Sequence, residues 1–272
     1  MKIWVDGHIS DPAAAQLSPL DHGFMVGDGV FETCKVVDGQ PFALTRHLAR
    51  LQRSARGLAL PDPDEQVIRQ GIGDLLSAEP TAGRLRITYT GGPGPLGSDR
   101  GDSGTTLVLA VSAGGHWDET TKVSVVPWTR NERSAVAGMK TTSYAENVVA
   151  LAAAREKGAT EAILANSRGE LCEGTGSNIF VVIDGELLTP SLNSGCLAGI
   201  TRELVIEWSG AHEVDLGLDA ISTATEAFLT SSTRDVQPIH AIDEQVFADS
   251  PGPVSAKARD VFTERSAISL DP

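Results

Sequence analysis

The feature of the sequence that most restricts the fold is a succession of short apolar runs between residues 161 and 189. Tight-turn residues separate the runs, with Ser167-Arg-Gly169 after the first run and Asp184-Gly185 after the third. This pattern predicts four successive β-strands, at 161–166, 169–173, 178–183 and 186–189. The segment Glu173-Gly-Thr-Gly-Ser-Asn178, which carries one carboxylate and one amide, therefore forms a turn between two strands.

The rest of the chain mixes helices with strands. Leucine and alanine residues recur at steps of three and four from 44 to 58, which predicts an amphipathic helix capped by Thr45. Ser143 and Glu146 have the spacing of a capping box, which predicts a helix from 144 to about 157, and Thr201 is the expected N-cap of a helix at 203–208. Further elements are predicted as a helix at 64–76 and strands at 30–37, 85–90, 105–112 and 122–127.

This mixture predicts an α/β protein. A glycine-rich linker at 113–119 separates the two halves of the chain. We therefore predict two domains, at 1–115 and 120–272.

Composition excludes several classes of function. The net charge of −14 argues against nucleic acid and anionic membranes as partners. The longest apolar run, 148–154, is far too short to cross a bilayer, and the N-terminus lacks the pattern of a secretory signal. Cys34, Cys172 and Cys196 are odd in number and widely spaced, so they suggest neither a disulfide framework nor a metal site. We expect a cytoplasmic protein without a bound metal.

Three features match the chemical needs of pyridoxal phosphate (PLP). Lys140 follows small and apolar residues directly before a predicted helix, and a desolvated lysine can form a Schiff base. Glu173 can keep the pyridine nitrogen protonated, and the helix start at Gly199-Ile-Thr201 can bind phosphate through free backbone N–H groups. Each feature alone has an ordinary alternative, namely a surface lysine, a charge at a strand end and a plain helix start.

Together these segments resemble the class IV (fold type IV) PLP-dependent enzymes, which include branched-chain aminotransferases, D-amino-acid aminotransferases and 4-amino-4-deoxychorismate lyases. The family signature is matched at Glu173, Thr175, Asn178, Ile179, Phe180, Leu187, Thr189, Leu197, Gly199, Ile200 and Arg202. The resemblance extends through 27–33, 47–51, Lys140 and 228–238, and so covers nearly the whole chain. It implies a fold type IV enzyme of two α/β (α+β) domains, with PLP in the cleft between them, that forms a homodimer or a larger oligomer.

The resemblance also implies roles for individual residues. Lys140, in the predicted C-terminal domain, would form the Schiff base with PLP, and Glu173 would contact the pyridine nitrogen. The other implied cofactor-binding residues are Arg50, Asn178, Ile200, Thr201, Ser231 and Ser232. From the residues alone, Arg50 could equally be a surface arginine and Asn178 a turn residue.

Thr33 helps to distinguish the members of this family. The deoxychorismate lyases carry a threonine there that assists catalysis, whereas the D-amino-acid aminotransferases usually have valine. The arginine-x-histidine carboxylate trap of the latter, expected after the strand that ends at Thr90, is absent here. The arginine that the lyases often carry near Leu96 is absent as well, so the chain departs from both patterns. Arg100 is the expected substitute for it as a substrate contact, together with Phe31.

We therefore expect a lyase of folate biosynthesis that converts 4-amino-4-deoxychorismate into 4-aminobenzoate and pyruvate. The first alternative is a D-amino-acid or branched-chain aminotransferase, which would use the same Lys140 and Glu173. A remote alternative is a protein that binds PLP or another small molecule without turnover. Assays with aminodeoxychorismate and with a panel of D- and L-amino acids distinguish the three.

Overall fold

The computed structural model describes all residues from 1 to 272, and the chain divides into two compact units. The first unit contains Met1–His116, Met139–Tyr144 and Leu270–Pro272, and the second contains Trp117–Gly138 and Ala145–Ser269. Each unit combines one β-sheet with helices, so the mixed α/β fold expected from the sequence is confirmed. No helix combines the length and the apolar character that crossing a membrane requires.

Six strands form the sheet of the first unit, namely β1 (Lys2–Val5), β2 (His8–Ser10), β3 (Gly29–Val37), β4 (Gln40–Pro41), β5 (Arg84–Thr90) and β6 (Thr106–Ser112). They are antiparallel throughout and lie in the order β2-β1-β6-β5-β3-β4. The helices of this unit are α1 (His22–Met25), α2 (Leu44–Gly57) and α3 (Glu65–Ala78). The predicted strands at 30–37, 85–90 and 105–112 and both predicted helices are confirmed.

Strand β3 separates the core of the first unit from the opposite face of its sheet. Val30 and Cys34 are fully buried and belong to the same apolar cluster as Leu48 of α2. Successive side chains of a strand point to opposite faces, so Phe31 and Thr33 lie on the face away from this core. The same alternation applies along β5, which pairs with β3 over its whole length.

The N-terminus of α2 is capped by a residue from the far end of the chain. The prediction that Thr45 caps this helix is wrong, because the N-cap is Ala43, a left-handed residue at φ 54° without a side-chain cap bond. Thr45 lies in the first turn, and its N and Oγ1 donate to the Asp271 carboxylate at 2.9 and 2.6 Å. A carboxylate at this end of a helix satisfies free N–H groups and complements the helix dipole.

Nine strands form the sheet of the second unit, namely β7 (Thr121–Arg130), β8 (Glu161–Asn166), β9 (Leu171–Gly174), β10 (Asn178–Ile183), β11 (Glu186–Pro190), β12 (His212–Val214), β13 (Glu226–Ser231), β14 (Asp235–Ile242) and β15 (Gln245–Val246). Their order is β12-β11-β10-β13-β14-β7-β8-β9, and β15 pairs with β14. The four strands predicted between 161 and 189 are β8 to β11, so that prediction is confirmed. The helices are α4 (Ala145–Glu156), α5 (Ile200–Ser209), α6 (Ala220–Thr223) and α7 (Pro253–Ile268).

The segment that carries Lys140 belongs to the first unit, so its predicted place in the C-terminal domain is wrong. The segment runs beside β3, where Phe31 N donates to Lys140 O at 3.0 Å and Thr142 N donates to Gly29 O at 2.8 Å. Val30 and Thr141 form an antiparallel bridge between these two bonds. Backbone pairing with a strand distant in sequence therefore holds the lysine, and the linear sequence does not indicate that pairing.

The predicted capping box before α4 does not form. The helix begins at Ala145, and the Ser143 hydroxyl donates instead to Gly27 O at 3.2 Å. Gly27 has φ +72°, and a Cβ there would approach Ser143 Oγ to 2.5 Å. Ser143 therefore fastens the Lys140 segment to the loop before β3 rather than capping the helix.

Candidate active site

Lys140 is fixed by its backbone and surrounded by aromatic side chains. Its N donates to Ser54 Oγ at 3.2 Å, and its Nζ lies 3.5 Å from Tyr144 Oη. The same Nζ lies 4.4 Å from the centroid of the Phe31 ring, which meets the Tyr144 ring edge to face at 5.1 Å. The half-buried amine therefore lies against two rings that exclude water, and a Schiff-base lysine needs such an environment.

Arg50 is a buried residue with a fixed orientation, so the alternative of a surface arginine is wrong. Its Nε and Nη2 donate to the two oxygens of Glu32 at 2.8 and 2.7 Å, in a bidentate pair. His47 Nδ1 lies 2.6 Å from Glu32 Oε2 and must be the donor, because a carboxylate only accepts. Burial would raise the pKa of Glu32, but Arg50 and His47 outweigh it and lower this pKa to about 2. Glu32 is thus a charged anchor that holds Arg50 in one rotamer.

Glu173 is a buried carboxylate at the end of β9. Its Oε1 accepts a hydrogen bond from Arg130 Nε at 3.1 Å, and its Oε2 accepts one from Leu197 N at 2.9 Å. Arg130 Nη1 also donates to Asn147 Oδ1 at 3.2 Å. Glu173 therefore has one defined orientation within the second unit. The sequence patterns indicated Glu173 but not Arg130, which lies beyond the strand predicted at 122–127 and carried no signal.

The start of α5 offers backbone N–H groups without a side-chain cap. The N-cap is Gly199, not the predicted Thr201, which is a buried residue of the first turn after Ile200. A Cβ on Gly199 would lie 2.0 Å from Asn178 Oδ1, so only glycine lets the Asn178 amide approach this closely. Asn178 Nδ2 donates to Leu197 O at 2.9 Å and ties the loop before α5 to β10. The first N–H groups of such a helix are unsatisfied and favour an anion.

Comparison with known proteins identifies the family. A family model described as amino-transferase class IV matches residues 29–242. The chain belongs to the class IV aminotransferase family. A putative branched-chain-amino-acid aminotransferase from Methanocaldococcus jannaschii is 31% identical over 97% of this chain and 96% of that protein. The aminodeoxychorismate lyase of Bacillus subtilis strain 168 is 30% identical over 92% of this chain and 89% of that protein.

The same fold occurs in a solved class IV aminotransferase. The branched-chain aminotransferase of Thermoproteus uzoniensis with norvaline superposes with a TM-score of 0.90 at 29% identity, over 97% of this chain and 94% of that one. The resemblance to fold type IV enzymes drawn from the sequence is thereby confirmed, and the chain is an enzyme of this PLP-dependent family.

The second unit of this class IV enzyme contains polar groups that fit the phosphate of PLP. Thr230 lies opposite Asn178 in the pairing of β13 with β10, and its hydroxyl is buried without a hydrogen-bond partner. Buried polar atoms without partners are rare, and an anion would satisfy this hydroxyl as well as the N–H groups of Ile200 and Thr201. Ser231, half-buried at the end of β13, accepts a hydrogen bond from Arg234 N at 3.2 Å.

Arg86 is a candidate site residue that the sequence patterns did not single out. It lies opposite Thr33 in the pairing of β5 with β3, and its Cζ lies 3.7 Å from the centroid of the Phe31 ring. Its only hydrogen bond goes to Thr88 Oγ1 at 3.3 Å, and it forms no ion pair with a carboxylate of the chain. The alternation of polar and apolar residues at 85–90 is the signal that could have indicated this exposed cation.

Arg100 is occupied by structural contacts. Its Nε and Nη2 donate to the Asp28 carboxylate at 2.6 and 2.5 Å. Its Nη1 and Nη2 also donate to the carbonyls of Ala59 and Leu58 at 2.8 and 2.7 Å. These contacts neutralise the guanidinium. They also tie the end of the glycine-rich loop to Asp28, Leu58 and Ala59. They argue against the expected role of Arg100 in binding a substrate carboxylate.

The expected site residues form two groups, one in each unit. The first unit holds Phe31, Thr33 and Lys140 around one sheet face, and Arg50 on the core side of β3. The second unit holds the expected contacts of the ring nitrogen and the phosphate, which are Glu173, Asn178, Ile200, Thr201, Ser231 and Ser232.

Proposed function

We propose that this enzyme is an aminodeoxychorismate lyase, which converts 4-amino-4-deoxychorismate into 4-aminobenzoate and pyruvate. The observation that carries the proposal is the placement of Thr33 on β3. Thr33 is half-buried on the same sheet face as Phe31, whose ring contacts the Lys140 amine, and it lies directly opposite the unpaired Arg86. A proton donor, an amine and a cation thus share one face, and an elimination from an anionic substrate needs all three.

The residues of each group would have their own task toward the cofactor. Arg50, the start of α5 and residues 230–232 at the end of β13 would bind its phosphate, and Glu173 would keep its ring nitrogen protonated. When bound, PLP supplies an electron sink for charge that develops on the substrate carbon.

Lys140 and Thr33 would carry the proton transfers. The Lys140 amine would take the proton from the amine-bearing carbon of the substrate. Thr33 Oγ1 would then pass a proton to the leaving enolpyruvyl group, which departs as pyruvate while the ring becomes aromatic. All atoms of the substrate appear in the two products, so no further reactant is needed.

Arg86 would bind a carboxylate of the substrate. A guanidinium presents two parallel N–H groups that match a carboxylate, and it stays charged in a protein. The Phe31 ring beneath Arg86 limits the positions that the guanidinium can take. This assignment replaces Arg100, whose charge is paired with Asp28.

Transamination of an amino acid is the second candidate. The 31% identity with the putative branched-chain enzyme of M. jannaschii, over 97% of this chain, favours it as strongly as identity favours the lyase. Lys140, Glu173 and Arg86 would serve the same tasks in that reaction. Only Thr33 lacks an obvious task, because amino-group transfer has no enolpyruvyl leaving group.

The variant Thr33→Val distinguishes the two reactions. It removes the hydroxyl at nearly constant volume, so we expect 4-aminobenzoate formation to fall by roughly the 10²–10⁴-fold typical of a lost acid–base group. Any transamination of D-alanine or a branched-chain amino acid should persist. Both rates are measured on one PLP-saturated preparation, which controls for misfolding and cofactor loss.

Thr33→Ser is the matched control, since it keeps the hydroxyl and should retain most of the lyase rate. Equal loss of both activities in Thr33→Val, or loss of transamination alone, would count against the lyase. The aminotransferase would then become the preferred assignment.

We further propose that the enzyme is a homodimer. The apolar side chains that a monomer would leave in water include one adjacent pair, Val148 and Val149 of α4, at 65% and 52% exposure. Phe24 is 73% exposed on α1. Light scattering coupled to size exclusion should give twice the chain mass of 28.6 kDa, and a mass of one chain at micromolar concentration would refute the proposal.

A further inference from the structure

Glu161 organises the turn that joins β9 to β10. It is the first residue of β8, and its buried carboxylate accepts hydrogen bonds from Thr175 N at 3.0 Å and from Thr175 Oγ1. It also accepts from Gly176 N at 3.3 Å and Ser177 Oγ at 2.9 Å, besides Ala162 N at 3.0 Å. Five donors therefore converge on one carboxylate. A glutamine in its place would direct an N–H₂ group at one or more of them.

Asn147 connects this turn to an arginine. It is a buried residue of α4, and its Nδ2 donates to Thr175 O while its Oδ1 accepts from Arg130 Nη1 at 3.2 Å. Thr175 is thus held at its N–H and hydroxyl by Glu161 and at its carbonyl by Asn147. Both ends of the Asn147 amide are occupied, which fixes the side chain in one orientation.

Arg130 completes the connection and has two carboxylates within reach. Its Nε donates to Glu173 at 3.1 Å, whereas its Nη1 lies 3.8 Å from Glu146. The Glu146 side chain is 79% exposed and that of Glu173 is 10% exposed, so one partner lies in water and the other in the interior, each beside a different nitrogen of Arg130. The hydrogen bond from Nη1 to Asn147 turns the guanidinium so that its Nε faces Glu173.

The contacts form one continuous series, from Glu161 through Thr175, Asn147 and Arg130 to Glu173. The residues at its two ends are not neighbours in sequence, and the turn at 174–177 directly connects Glu173 to Asn178. A turn that served only to reverse the chain would not require a buried carboxylate with five donors, because burying a charge is unfavourable unless it is fully paired.

We infer that Glu161 and Asn147 are positioning residues that hold the Glu173 carboxylate in the orientation needed to meet the ring nitrogen of PLP. The inference rests on the role proposed for Glu173. Arg130 sets the orientation of the Glu173 carboxylate. Asn147 in turn keeps Arg130 paired with Glu173 rather than with Glu146.

The decisive experiment compares Asn147→Ala with the double variant Asn147→Ala/Glu146→Gln. In the single variant Arg130 is free to turn toward Glu146, and we expect kcat to fall roughly 10- to 100-fold with little change in KM, by analogy with residues that orient metal ligands. The double variant removes the competing carboxylate and should recover a clear part of that loss. Glu146→Gln alone, at an exposed position outside the site, should behave as wild type.

Two further measurements separate positioning from stability. Thermal unfolding of the apoprotein reports the structural cost of each variant. Titration of the visible absorption of bound PLP against pH reports the protonation of the cofactor, without any substrate. We expect Asn147→Ala and Glu161→Gln to shift this titration in the same direction as Glu173→Gln, and the double variant to shift it less.

The inference would be overturned if Asn147→Ala and Glu161→Gln both lower the thermal stability but leave kcat and the absorption titration unchanged. If Asn147→Ala/Glu146→Gln recovers none of the activity that Asn147→Ala loses, Asn147 does not decide which carboxylate Arg130 binds. If Glu173→Gln itself leaves the titration unchanged, the proposed role of Glu173 fails instead. Because the titration uses PLP alone, an error about the substrate would not affect it, and Asn147→Ala provides the test if Glu161→Gln does not fold.

Discussion

Replacement of Lys140 by alanine should abolish turnover while the protein stays folded. The loss should exceed the roughly 10²–10⁴-fold that removal of an acid–base group causes, because the covalent attachment of the cofactor is lost as well. The side chain ends between the Phe31 and Tyr144 rings, and its backbone bonds to Ser54 and Phe31 do not depend on the amine. The thermal unfolding midpoint of the apoprotein should therefore change little.

Borohydride reduction in the presence of PLP, followed by peptide mapping, identifies the attachment site directly. The pyridoxyl label should appear on Lys140 in the wild type and be absent from Lys140→Ala. Lys157→Ala is the matched control, because Lys157 is exposed and makes only a distant ion pair with Asp243, at 3.8 Å. A label on Lys122 or Lys157, with Lys140 clean, would rule out the assignment.

The sequence predicted those parts of the fold that depend on local patterns. Strands β8 to β11 follow from apolar runs broken by turn residues, and helix α2 follows from the spacing of its leucines, because burial of one face imposes that period. The candidate cofactor residues were located by their match to a family signature. That match gave their identities but not the contacts that orient them.

Features that depend on distant pairing could not be predicted. Thr45 was expected to cap α2, yet the cap comes from Asp271, which is 226 positions away in sequence. Lys140 was assigned to the C-terminal domain, because nothing near it indicates that residues 140–142 pair with the edge of β3. In each case a backbone group was satisfied by a partner that the linear sequence does not reveal.

The partners of the charged side chains could not be predicted from the sequence either. From the sequence, Arg50 could be interpreted as a surface residue or as a phosphate contact. Its burial against Glu32 rules out the surface position. Arg100 was expected to bind the substrate carboxylate because it follows the glycine-rich loop, but its guanidinium is paired with Asp28. Arg86 was overlooked although alternation places it on the exposed face of β5. Ion-pair partners depend on tertiary structure, so a sequence gives the candidates but not the pairs.

Replacement of Glu173 by glutamine should leave PLP bound but remove most of the rate. Binding should persist because Lys140, Arg50 and the start of α5 are unchanged. The rate should fall because a neutral amide cannot hold the ring nitrogen protonated, which weakens the electron sink. A loss of about 2.7–4 kcal/mol, by analogy with removal of one oxyanion donor, corresponds to roughly 10²–10³-fold in kcat.

Both oxygens of the Glu173 carboxylate accept hydrogen bonds, which a glutamine cannot do. Its two oxygens accept from Arg130 Nε and from Leu197 N, so glutamine can satisfy only one donor and must direct its N–H₂ group at the other. Glu170→Gln is the matched control, since Glu170 is paired with Arg168 on the same hairpin and should leave kcat unchanged. The measurements are kcat, the PLP dissociation constant and the unfolding temperature of each variant. Near wild-type turnover in Glu173→Gln would mean that the carboxylate only fastens the loop at Leu197, and the ring nitrogen would then need another partner.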